Sequence, residues 1–104
     1  MYINKKELLQ KIQKRFTDLD NNRGCYLDGV WFSISSIVYI INENYYDCIN
    51  KEVLLDNITA KYGNLNNDRG CYLDGVWFSI ASVVETVNAC YEYNDYKDCE
   101  NCFY

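Results

Sequence analysis

Cysteines and aromatics are the side chains best suited to chemistry in this chain, because the usual general base is missing: no histidine occurs among the 104 residues. Its absence also removes the commonest neutral metal ligand. Cys99 and Cys102 form a Cys-x-x-Cys, and with Cys48 and Cys90 they would supply the four thiolates of a structural zinc site. No second Cys-x-x-Cys accompanies them, and the βαβ context and helix start that a thioredoxin-like motif needs are missing. We therefore expect neither cofactor nor metal, with Cys99 and Cys102 the candidates if a metal binds. Asp28 and Asp74 stand at matched positions of an internal duplication, where turn chemistry explains them better than acid/base catalysis. No Ser/His/Asp, Cys/His, phosphate-loop or dinucleotide pattern is present, so the chain reads as a non-enzyme.

The duplication has an offset of 46 residues. Arg23-Gly-Cys-Tyr-Leu-Asp-Gly-Val-Trp-Phe-Ser-Ile34 is identical to Arg69–Ile80, twelve consecutive matches inside a longer similarity of 21–42 with 67–88. Upstream, Leu8, Leu9, Ile12, Phe16 and Leu19 correspond to Leu54, Leu55, Ile58, Tyr62 and Leu65. A repeated unit presents whatever it displays twice.

Within each copy, β-forming residues flank Asp28-Gly29 and Asp74-Gly75, the strongest short-range signal for a two-residue hairpin turn. Such a turn pairs Leu27 with Val30, Tyr26 with Trp31, and Cys25 with Phe32. Alternation then places Cys25, Leu27, Val30 and Phe32 on a core face, with Tyr26 and Trp31 opposite. Tyr72 and Trp77 repeat the arrangement. Tyrosine and tryptophan dominate binding hot spots, so Tyr26, Trp31, Tyr72 and Trp77 are the candidate partner-binding residues, flanked by Arg23 and Arg69. The competing reading is that these rings pack on each other or on the C-terminal segment. Cys25 and Cys71 take equivalent inward positions as small apolar side chains, and oxidation would join them if the hairpins meet.

Helices must position these hairpins. Asn4 and Glu7 make a capping-box pattern ahead of the stripe Leu8, Leu9, Ile12 and Phe16. The second copy starts after Asn50 and stops at Gly63. Ser33 and Ser79 stand ready to cap a second helix in each copy, with apolar Ile34, Ile37, Val38, Ile41 and Ile80, Val83, Val84, Val87 at helical spacing. The expected fold class is α+β: two tandem helix–hairpin–helix repeats, 1–46 and 47–90, forming a pseudo-twofold domain with a four-stranded antiparallel sheet. Residues 91–104 read as an acidic tail rich in tyrosine and cysteine.

A composition of 49% hydrophobic and 24% charged residues lies clear of the disordered class. Net charge is −5, but residues 1–15 carry five basic side chains against Glu7 alone, leaving fourteen acidic against five basic afterwards. A mostly acidic body argues against generic phosphate-backbone contact and suits basic protein surfaces. The N-terminus carries no apolar run suited to a signal peptide or membrane span, so a cytoplasmic location in the host cell and reduced thiols are expected.

The run from Asn22 to Phe32 resembles the Tyr-Asn-x-Gly-x-Leu-x-Gly-x-Trp-Phe element of ArdA-type antirestriction proteins. It matches at Asn22, Gly24, Leu27, Gly29, Trp31 and Phe32 with altered spacing and no preceding tyrosine. Gly-x-Trp-Phe-Ser-Ile leading into a helix also looks like phage antirepressor N-terminal domains of the Bro-N or KilA-N sort. Both resemblances imply a phage or mobile-element origin. The expected function is a non-enzymatic protein-binding inhibitor of a host defence, with anti-CRISPR action one form of it, working by steric block or acidic mimicry. Its partner would be a host protein or ribonucleoprotein complex, with a homodimer also allowed, no membrane, and direct nucleic acid not expected. The alternative is a tandem-repeat nucleic-acid-binding regulator that uses the basic N-terminal helix.

Overall fold

The structure, a computed structural model, describes residues 1–101. It is α+β, with five helices and three two-stranded antiparallel ladders among the described residues. The first ladder joins two strands too short for alternation to reveal, β1 (Tyr2–Asn4) and β4 (Cys48–Asn50), with Ile3 opposite Ile49 at its buried centre.

Each of these strands runs directly into a helix and ends on its cap. Asn4 accepts the Glu7 N–H at 3.0 Å to start α1 (Lys5–Arg15), and Asn50 accepts the Val53 N–H at 3.2 Å to start α3 (Lys51–Tyr62). The expected return bond from Glu7 is not made. Its carboxylate is buried and needs a donor, which it finds in the Tyr91 N–H at 3.1 Å. Gly63, at φ 93°, closes α3.

β2 (Gly24–Leu27) and β3 (Val30–Ser33) form the first hairpin, and β5 (Gly70–Leu73) and β6 (Val76–Ser79) the second. Asp28 and Gly29 have φ 51° and 81°, and Asp74 and Gly75 have φ 51° and 83°. Positive φ at both central residues matches the right-handed twist of the strands. The register is the one Asp-Gly dictates, Tyr26 opposite Trp31 and Tyr72 opposite Trp77. Ser33 and Ser79 then cap α2 (Ile34–Asn42) and α4 (Ile80–Asn88) through reciprocal bonds with Ser36 and Ser82.

The expected four-stranded sheet does not form. β2 and β5 lie side by side, yet each hairpin remains a separate two-stranded ladder. In a continuous sheet with that central pair, three strand spacings would part Phe32 from Phe78 by about 14 Å. Their rings instead stack at 4.2 Å and 11°. The hairpins turn their inner faces together and meet through side chains, which leaves no shared edge for a ladder.

Around that stack the two copies interlock. Phe16, at the end of α1, packs edge-on against Phe78 of the second hairpin at 5.2 Å, while Tyr62, at the end of α3, packs against Phe32 of the first at 5.1 Å. The Tyr62 hydroxyl donates to the Trp31 carbonyl and lies 2.8 Å from the Ser36 hydroxyl. Arg15 reaches α4, donating to the Ser82 carbonyl, Thr86 and Glu85 at 3.0–3.1 Å. Each helix that opens a copy thus serves the hairpin of the other, and one apolar core runs through both.

The C-terminal segment is part of this body. Tyr93 exchanges two 2.8 Å backbone bonds with Tyr2 at the free edge of β1, and α5 (Tyr96–Glu100) packs on β1 and β4 with Cys99 fully buried. Covering an exposed strand edge is a general need of small sheets. Among the described residues, no helix is long and apolar enough to cross a membrane.

Candidate functional site, a paired aromatic surface

The hairpin turns set the outer faces, and the side chains on them are held in equivalent ways in the two copies. Tyr26 and Trp31 meet at 4.9 Å between ring centroids, and Tyr72 and Trp77 also at 4.9 Å. Tyr26 and Tyr72 are 69% and 70% exposed, whereas both tryptophans are half-buried. Each indole N–H is satisfied, Trp31 by Asn22 at 3.0 Å and Trp77 by Asp68 at 3.1 Å. The same acceptors hold the helix-cap hydroxyls of Ser33 and Ser79. Those bonds from Trp77 and Ser79 keep the Asp68 carboxyl below its usual range.

Arg23 and Arg69 neither stack on the rings nor stand free. Arg69 grips Asp28 through both terminal nitrogens at 2.8 and 3.1 Å, and Arg23 bonds Asp74 at 2.9 Å. Each arginine therefore clasps the turn of the other hairpin. The hydrogen bond from Arg69, then its charge, lowers the Asp28 pKa. A sequence signal for this existed: Arg and Asp both lie inside the twelve-residue identity, so a contact between equivalent hairpins pairs them reciprocally.

Between the hairpins, burial followed by hydrogen bonding with Cys25 pushes the Cys71 pKa up to about 12. A thiol so far from ionisation is a poor nucleophile at neutral pH. Among the described residues, which include Cys48, Cys90 and Cys99 of the four-thiolate set, no three His, Cys, Asp or Glu converge on a metal position. Cys90 is buried at the end of α4 with its Sγ on the Thr86 carbonyl at 3.6 Å, and Cys48 points to the Tyr96 carbonyl at 3.8 Å. Cys102 lies outside the described residues.

The outer surface thus offers paired aromatic area with polar tips. A second cluster of tyrosines, Tyr45, Tyr46 and Tyr96, surrounds a cavity at the other ladder. Its members sit in an irregular loop and in the C-terminal segment, where no periodicity marks them. Compared with family models, curated proteins and solved structures, the chain finds no match.

Proposed function

We propose that this protein is a non-enzymatic inhibitor of phage or mobile-element origin, acting in the host cytosol by binding a protein or ribonucleoprotein of a defence system. Anti-CRISPR action is one form of this reading, by steric block or by acidic mimicry. The observation that carries it is the exposure of Tyr26 and Tyr72, at 69% and 70%, on hairpin strands whose turns are tied by the Arg–Asp clasps. Rigid aromatic anchors lose little conformational freedom on binding. We also infer that repeats 1–46 and 47–90 are related by a pseudo-twofold axis near the Phe32–Phe78 stack. On that arrangement the two pairs form one epitope presented twice, matched to a partner with its own twofold symmetry.

The test is the double variant Tyr26→Ala/Tyr72→Ala. Tagged parent and variant are expressed in the host and their retained proteins compared quantitatively, alongside phage plating on a host with an active nuclease defence. An unchanged melting temperature with loss of both the retained partner and the plating advantage supports the reading. Retention of the same partner by a folded double variant refutes it.

A further inference from the structure

We propose that the cavity between residues 45–48 and α5 is a receptor for an alkylammonium group, the side chain of a lysine on a basic protein surface. This site is separate from the hairpin surface and does not depend on it. The cavity, of about 300 Å³, is lined by Tyr45, Tyr46, Asp47, Cys48, Tyr96 and Glu100.

The ring geometry suits a compact cation. Tyr46 and Tyr96 stand at 86° with centroids 6.5 Å apart, and Tyr45 stands at 87° to Tyr46 at 5.2 Å. These rings line the cavity together with two carboxylates, and ring quadrupole and formal charge both attract a compact ammonium. A planar guanidinium prefers to stack along a single face. Tyr96 also meets Tyr2 edge-on, at 5.6 Å and 83°.

Charge selects the same occupant. Asp47 and Glu100 add two carboxylates to the lining, and neither makes an ion pair among the described residues. Lys5, whose backbone N–H bonds the Asp47 carbonyl, sends its ammonium to the Asn44 carbonyl at 2.8 Å and does not line the cavity. Burial and then the Glu100 charge raise the Tyr96 pKa, the response of a phenol in surroundings that disfavour added negative charge.

The test is a 15N-resolved titration of the full chain with Nα-acetyl-lysine methylamide, its Nε-trimethyl form, its neutral Nε-acetyl form, and choline. The two charged lysine derivatives are expected to shift the amide signals of residues 45–48 and 96–100 and to bind at least about tenfold more tightly than the neutral form. Replacing Tyr46 or Tyr96 with Leu keeps an apolar wall but removes the ring, and is expected to weaken binding about 3–5-fold. Tyr46, 64% exposed in a loop, supplies the informative variant should Tyr96→Leu loosen α5. Equal binding of the neutral form overturns the proposal, as does loss of binding in Asp47→Asn or Glu100→Gln with none in Tyr46→Leu. Binding of choline without the lysine derivatives overturns the assignment to a protein side chain.

Discussion

Replacing Phe78 with Ala probes whether the two copies are one cooperative body. Phe78 is fully buried, stacks on Phe32 at 4.2 Å and receives the edge of Phe16 at 5.2 Å. Removing such a ring costs about 3–5 kcal/mol, out of the roughly 5–15 kcal/mol that a domain of this size possesses. With a urea slope of about 1–2 kcal/mol/M, the midpoint falls by roughly 1.5–5 M. Phe78→Leu, which retains most of the volume, is the milder arm at about 1–2 kcal/mol. The reading comes from single-tryptophan backgrounds: Trp77→Phe leaves Trp31 to report on the first hairpin, and Trp31→Phe leaves Trp77 to report on the second. Because α1 packs on Phe78 and α3 on Phe32, both reporters should follow one transition displaced by the same amount. A Trp31 midpoint that stays in place while the Trp77 midpoint drops would refute the interlocked core.

Three further outcomes follow from the geometry. Asp28 has its folded pKa lowered by the Arg69 hydrogen bond and charge, so the clasp stabilises above the unfolded value near 3.8 and fades as pH falls through the lowered one; thermal melts of parent and Arg69→Met should therefore differ at pH 7 and converge at strongly acid pH. A methyl at Gly24 would lie 1.9 Å from the Phe32 carbonyl oxygen and at Gly70 2.0 Å from that of Phe78, so Gly24→Ala should cost about 3 kcal/mol or more. Gly29→Ala meets open space and only the strain of φ 81°, about 1–2 kcal/mol, and urea titration showing the reverse order would contradict the hairpin geometry. On α1, Lys5 is tied to Asn44, Lys11 lies 3.8 Å from Glu7 and Arg15 is bound to α4, leaving Lys6 and Lys14 for phosphates. A duplex titration should then show a log–log salt slope no steeper than about −2, and a slope near −5 would revive the nucleic-acid alternative.

Local chemistry was the legible part of this chain. Asp-Gly dictates the turn, the turn dictates register, and register dictates that Tyr26 and Trp31 share a face. The serine caps and the Gly63 stop were readable for the same reason, since each is settled within four residues. Illegible were contacts between distant segments. Three-residue strands such as Tyr2–Asn4 show too little alternation to be recognised. Glu7 looked like half of a capping box because its spacing is right, but a buried carboxylate goes where a donor is available, and Tyr91 is 84 residues away. The same holds for the hairpin-to-hairpin contact: pattern specifies which face is apolar, while the angle at which two apolar faces meet depends on ring packing. The tyrosine cavity arises from a loop and a segment outside the duplication, brought together where Tyr93 bridges to β1 and α5 packs on β1 and β4.

The surface on the hairpins divides its labour in a way that decides how function can be separated from stability. Trp31 and Trp77 are half-buried, and their indole nitrogens share acceptors with the serines that cap α2 and α4. Truncating them leaves Asn22 and Asp68 short of a donor at a helix start, so a loss of binding in such variants reads on the fold as much as on the surface. Tyr26 and Tyr72 bury less than a third of their area and make no hydrogen bond through their hydroxyls among the described residues. Burial scales stabilisation, so folding has little use for rings of that size at those positions, and large exposed aromatics placed twice on the hairpin strands are the feature that stability leaves unexplained. On the proposed function the tyrosines separate recognition from folding, and a partner retained after their loss would have to be held elsewhere, with the acidic tyrosine cavity at the opposite ladder the next surface to alter.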